Sequence, residues 1–241
     1  MGLSLSSGFV FSNSLQAVNN EINEPPPDRG TPPTPYGTGS RGGCPSNTDL
    51  PPLAQLVGNT SLDLTVSERP SFWVYVPYTS SEVTAARFSF QEGDQEIYQA
   101  TIQLPTTPGI IGMTAPETVP PLEVGTRYHW YFEIFCPQTE TSDPSEISVP
   151  ITLTGIVERV LPTEALTNEL VDASSPLEKI SAYVNHNIWY DALTELGQLR
   201  LHEPSQVGLI EEWEALLSDP EVGLEPWSKA PIIGESLLTS E

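Results

Sequence analysis

From Tyr128 to Cys136 the chain alternates with a period of two. Tyr128, Trp130, Phe132, Ile134 and Cys136 fall on one face of an extended strand, and His129, Tyr131, Glu133 and Phe135 fall on the other. A face so rich in rings needs a second layer against it. Just upstream, Leu122, Gly125 and Tyr128 stand at the spacing of a tyrosine corner, a turn followed by a Tyr whose hydroxyl bonds back to upstream backbone. Similar β-rich runs, separated by turn residues, predict further strands over Leu62 to Val66, Ser71 to Tyr78, Ala85 to Glu92, Glu96 to Leu104, Gly109 to Met113 and Ile147 to Val160, the last interrupted at Pro150. Gly93-Asp94 between two of these runs predicts a tight hairpin. The run Phe72, Trp73, Val74, Tyr75, Val76 is apolar on both faces, so this strand is central and something other than water covers its outer side.

The period changes in the C-terminal third. Apolar residues at spacings of three and four predict helices over Thr163 to Ala173, Leu177 to His186, Trp189 to Leu201 and Gln206 to Leu217, each bounded by Pro, Ser, Asn or Asp. Tyr183, a turn at Asn187, Ala192, Leu196 and Pro204 stand at tetratricopeptide spacing, where a small Ala lets antiparallel helices approach closely. A free-standing solenoid needs about three such units. With one unit, the helices are expected to pack on the outer face of the sheet. The predicted fold is therefore an antiparallel β-sandwich of the immunoglobulin or fibronectin kind over 53–161, followed by a small helical, tetratricopeptide-like part over 162–225. Pro226 and Pro231 lie in the remaining segment, 226–241, which reads as a loosely packed tail.

Ahead of the sandwich, 18–52 is dominated by Pro, Gly, Asn, Ser and Thr and reads as a linker or draped segment. Gly37, Gly39 and Gly42 spell G-x-G-x-x-G, but with no strand before and no helix after, the dinucleotide reading fails its context. Pro32 and Pro35 form a PxxP of the kind Pro-rich linkers produce by chance. Residues 1–17 end in a small residue, Ala17, and resemble the remnant of a secretory signal, which places the protein in the periplasm or outside the cell; if that stretch is no signal, the location is cytoplasmic. No apolar run reaches the ~20 residues needed to span a bilayer as a helix.

Charge narrows the partners. The 241 residues include 32 acidic and 9 basic ones, for a formal charge of −23, and the excess is spread over both folded parts. Such a field repels nucleic-acid phosphates and anionic headgroups, so a nucleic-acid role is excluded, while cations, basic partner surfaces and simple solubility stay open as its reason; the expected partner, another envelope protein, goes with the extracytoplasmic location. Cys44 and Cys136 are the two cysteines. In an oxidising compartment they would pair and close a loop of about 90 residues, stabilising the fold by roughly 4 to 5 kcal/mol in the chain-entropy model; buried free thiols are the alternative.

Candidate chemistry is sparse. The three histidines, His129, His186 and His202, accompany no G-x-S-x-G, H-E-x-x-H or CxxC. His129 reads as a cross-strand or helix-facing contact, and the other two as helix C-terminal caps. Oxygen ligands for Ca²⁺ are available at Glu92, Asp94 and Glu96, or at Asp143 and Glu146, without the EF-hand register, and acidic turns are ordinarily solvated. Glu211, Glu212 and Glu214 read as a solvated helix face beside the buried Trp213 and Leu217. No catalytic, metal or cofactor set is assigned. The most specific candidate is an aromatic surface of Trp73, Tyr75, His129, Tyr131, Trp189 and Tyr190, either an interaction site or the glue between sheet and helices. The leading expectation is a non-enzymatic interaction or envelope-assembly module. A hydrolase or carbohydrate-active enzyme using carboxylates such as Glu133 with Asp94 is the alternative.

Read in order, the stretches PPPDRGTP, GTGSRGGC, SERPSFWVYVPY, LPTTPGI, PPLEVGTRYHWYFEIFC and NIWYDALTEL resemble a cyanobacterial family, domain of unknown function 928, over about residues 25–225. The resemblance implies an extracytoplasmic protein and brings no activity with it.

Overall fold

The computed structural model describes residues 44–45, 49–57, 64–137 and 150–237, all within one compact unit. The predicted signal remnant, the G-x-G-x-x-G and PxxP stretches, and Asp143 with Glu146 lie outside the described residues. Among the described residues there are nine strands and four α-helices: β1 (Ala54–Gln55), β2 (Leu64–Thr65), β3 (Ser71–Val76), β4 (Ala85–Glu92), β5 (Gln95–Ile102), β6 (Gly109–Thr114), β7 (Arg127–Phe135), β8 (Ile151–Arg159), α1 (Glu164–Asp172), α2 (Pro176–Asn185), α3 (Trp189–His202), α4 (Val207–Ser218) and β9 (Ile232–Leu237). They form a four-stranded sheet, β1-β3-β6-β9, and a five-stranded sheet, β2-β8-β7-β4-β5.

The alternation read from the sequence decides what faces what. Phe72, Val74 and Val76 of β3 point toward the other sheet, where they join Phe88 and Phe90 of β4 and Trp130, Phe132 and Ile134 of β7 in one core. Rings from both sheets touch there, with the Phe72 and Phe88 centroids 5.0 Å apart. The opposite side of β3, Trp73 and Tyr75, packs instead with Trp189, Leu193 and Leu196 of α3 and Trp213 of α4. A central strand apolar on both faces is thus covered by a sheet on one side and helices on the other. Gly155 on β8 makes room for this arrangement: a Cβ there would lie 2.6 Å from the Trp130 indole, which is fully buried.

Turns and caps follow their residues. Gly93, at φ 56°, supplies the left-handed backbone of the two-residue β4–β5 loop. In the tyrosine corner the Glu123 N–H donates to the Tyr128 hydroxyl at 3.0 Å. Thr163 caps α1 by accepting from the Leu166 N–H, and Ser175, followed by Pro176, caps α2 by accepting from the Glu178 N–H. The Glu178 carboxylate reaches back to the Ser174 hydroxyl and N–H, which lowers its pKa.

Three expectations are corrected. The sheets are mixed rather than antiparallel throughout, because β2 runs parallel to β8 and β9 parallel to β6. The segment expected as a loose tail contributes to the fold: Trp227 is fully buried and donates its indole N–H to the Pro52 carbonyl at 2.9 Å, and β9 forms an edge of the four-stranded sheet. Its pairing partner, β6, lies more than 100 residues upstream, so no local pattern announces it. The β part therefore does not end at residue 161, since its last strand follows the helices.

Candidate functional site

The six aromatic candidates separate into two groups. Trp73, Tyr75, Trp189 and Tyr190 are buried, each no more than 3% exposed. They are the glue between sheet and helices, and a surface made of all six is corrected to a surface holding only His129 and Tyr131, which are half-buried on the outer side of β7. Three of the buried four are fixed by hydrogen bonds as well as packing. Trp73 donates to the Thr194 hydroxyl at 3.2 Å and Trp189 to the Leu56 carbonyl at 2.8 Å. Tyr190 accepts from the Trp130 indole at 2.9 Å and donates to the Ile156 carbonyl at 2.8 Å, pinning α3 to the five-stranded sheet.

That sheet's outer side carries cross-strand rows set by register: Gln91, His129 and Ile156; Ser89, Tyr131 and Thr154; Arg87, Glu133 and Thr152. On the neighbouring β5, Gln99 stands opposite Ser89 and Thr101 opposite Arg87. The Arg87 guanidinium is held by Glu133 at 2.7 Å and lies 5.1 Å from the centroid of the Phe135 ring. Ala85, Arg87, Gln99, Thr101 and Phe135 line an open groove of about 560 Å³ that reaches Cys136. Cys136 is bonded to Cys44, with Cα atoms 5.0 Å apart, so both cysteines of the chain are used in one bridge.

The other sequence candidates stay apart. Glu92 lies across from Tyr128 in the β4–β7 ladder, so Asp94 sits beyond that end while Glu133 is five residues back along β7. At about 3.3 Å per residue the two carboxylates are separated by roughly 16 Å or more, too far for paired acid–base work on one bond. His186 closes α2 and meets Glu169 of α1 at 3.0 Å, and the His202 ring lies 2.7 Å from the Gln198 carbonyl in the last turn of α3. Among the described residues no group of three or more His, Cys, Asp or Glu could hold a metal ion.

One polar constellation escaped the sequence reading. Thr65, Ser67, Ser71, Thr194, Asp191 and Glu195 line a small cleft of about 100 Å³ where α3 meets β2. Asp191 accepts from the Thr65 hydroxyl at 2.7 Å and the Val66 N–H at 3.1 Å. Its pKa is raised, chiefly by burial and further by the negative charge of Glu195, against the opposing pull of those two hydrogen bonds. Arg69, on the cleft wall, is turned to the carbonyls of Pro116 and Glu117 at 3.0 and 3.1 Å, and also bonds that of Val119. The signal in the sequence was an acid at the buried start of a helix, between Tyr190 and Ala192, which helix-dipole preference alone accounts for.

No curated protein and no solved structure matches the chain. A family model does, over residues 36–232, most of the chain and nearly all the described elements. With those residues matched, this protein belongs to the family described as Domain of Unknown Function (DUF928).

Proposed function

We propose that this chain is a non-enzymatic extracytoplasmic protein, an interaction or envelope-assembly module built on an immunoglobulin- or fibronectin-like sandwich with a tetratricopeptide-like hairpin. The observation that carries the reading is the one-sided placement of the helices. α3 and α4 pack on the four-stranded sheet, and α1 and α2 pack near the β2 edge, while the outer side of β4, β5 and β7 keeps His129, Tyr131 and Phe135 half-exposed. Half-exposed rings on a rigid sheet bury large area on binding at little entropic cost. The Tyr128 corner supports the sandwich class. Ala192 and Leu196, both at most 1% exposed where α3 packs, support the tetratricopeptide-like hairpin.

The bridge between Cys44 and Cys136 supports an oxidising compartment, because cytosolic thiols are kept reduced. Fractionation followed by intact-mass measurement of the native protein tests the location. The expected result is bridged protein outside the cytoplasm, and free thiols in the cytoplasmic fraction would end this part of the proposal. Pull-downs from envelope extract with the native chain and with a His129→Ala/Tyr131→Ala variant test the role. A partner retained only by the native chain is expected, and nothing reproducible from either counts against an interaction module. A carboxylate-based hydrolase is the second reading, favoured only by Asp191 and Glu195 sharing one cleft. It requires an activity on oligosaccharides that Glu195→Gln removes.

A further inference from the structure

The five-stranded sheet ends in β5, which pairs with β4 on one side; among the described residues its other side has no ladder partner. Backbone N–H and C=O groups along such an edge are a template for another strand. Protein edges are usually blunted by proline, lysine, shortness or a bulge. β5 is eight residues long and contains neither proline nor lysine. Its one register shift falls opposite Phe90 and Gln91, near the hairpin, and leaves Tyr98 to Ile102 regularly paired.

Two features flank this edge. On the outer side of its regular stretch, next to Gln99 and Thr101, lies the groove floored by Ala85 and Phe135. Arg87 in that groove is already neutralised by Glu133, so the groove suits an apolar side chain rather than an anion. At the other end Glu92, Asp94 and Glu96 are all exposed around the hairpin, roughly 16 Å from Thr101 at about 3.3 Å per residue.

From this juxtaposition we infer that β5 is a docking edge for an extended segment of a cationic partner protein. The segment adds to the sheet as a sixth strand, seats an apolar side chain beside Gln99 and Thr101, and brings Lys or Arg to Glu92, Asp94 and Glu96. Main-chain hydrogen bonds give the affinity, and the groove and the acidic hairpin give the selection. The spacing fixes the motif: an apolar residue and a basic one roughly four to six positions apart on the incoming strand. Charge chooses the occupant. A second copy would bring another −23, and β5 has no basic residue to meet the copy's hairpin. This inference rests on the interaction-module reading and names the surface and the partner chemistry for it.

The test is a selection of short random peptides displayed against the full chain with its bridge intact. Amide exchange is then followed on the complex with the best synthetic peptide. Enriched sequences alternate apolar and polar residues with Lys or Arg at one end, and they slow exchange across Tyr98 to Ile102. The triple variant Glu92→Gln/Asp94→Asn/Glu96→Gln weakens the peptide about tenfold, as expected for loss of close opposite charges. Thr101→Lys, at an exposed position, blocks it without lowering the melting temperature. Acidic or helical peptides, protection at another surface, or sedimentation as a β5-linked dimer would each overturn the inference. Protection elsewhere leaves the interaction-module reading standing, whereas no enriched peptide together with an empty envelope pull-down removes both.

Discussion

Removing one oxygen, in Tyr190→Phe, tests whether the helical layer is tied to the five-stranded sheet as described. The Tyr190 hydroxyl accepts from the Trp130 indole N–H at 2.9 Å and donates to the Ile156 carbonyl at 2.8 Å, and Trp130 is fully buried. Phenylalanine keeps the ring and its edge contact with Phe72, whose centroid lies 5.7 Å away. It leaves the indole N–H of a fully buried side chain without that acceptor. An orphaned buried donor costs about 1 to 3 kcal/mol, and the carbonyl, which has a second lone pair, adds less, so a loss of about 2 to 3 kcal/mol is expected. With a urea slope of about 2 kcal/mol per molar, the unfolding midpoint falls by roughly 1 M or slightly more. Tyr131→Phe, on the half-exposed outer face, is the matched control and changes stability by no more than about 0.5 kcal/mol. Both are measured by urea titration of the oxidised protein. Equal midpoints for the two variants at unchanged slope would refute the hydrogen-bonded pin.

Three further predictions follow from other parts of the fold. Replacing Cys44 and Cys136 by serine removes a bridge spanning 92 residues and lowers stability by about 4 to 5 kcal/mol, read as an equal loss in midpoint when the native protein is reduced with dithiothreitol. Trp73→Ala empties a site shared by α3, α4 and β3 and costs about 3 to 5 kcal/mol, whereas Tyr131→Ala costs roughly 1 kcal/mol; similar losses in thermal unfolding would contradict their different placement. The folded-state pKa of Asp191 is raised, so the folded chain holds that proton more tightly than the unfolded one. Its charged form is a penalty at neutral pH, relieved as pH falls through the raised pKa toward the ordinary carboxylate range. The native chain should therefore gain stability relative to Asp191→Asn on acidification from pH 7 to about pH 4, and urea midpoints that fall in parallel would refute the linkage.

The strands β3 to β8 and the four helices were legible in the chain because their causes are local. Period-two alternation placed Tyr128, Trp130, Phe132 and Ile134 on one face, Gly93-Asp94 marked a hairpin, and apolar residues at spacings of three and four marked the helices. The tyrosine corner was legible for the same reason, since Glu123 and Tyr128 are neighbours in sequence. A strand apolar on both faces even required a covering layer. Only the tertiary structure decided which rings that layer took: Trp73 and Tyr75 went under α3 and α4, and His129 and Tyr131 were left outside. Alternation says that two faces differ but not which one finds a partner. The parallel pairings of β2 and β9 were equally hidden, because their hydrogen-bond partners come from remote strands and their own short sequences carry little preference. Asp191 belongs with them. Its pKa is raised chiefly by burial and further by Glu195, against the hydrogen bonds from Thr65 and Val66, and those surroundings assemble only when β2 and the helix meet.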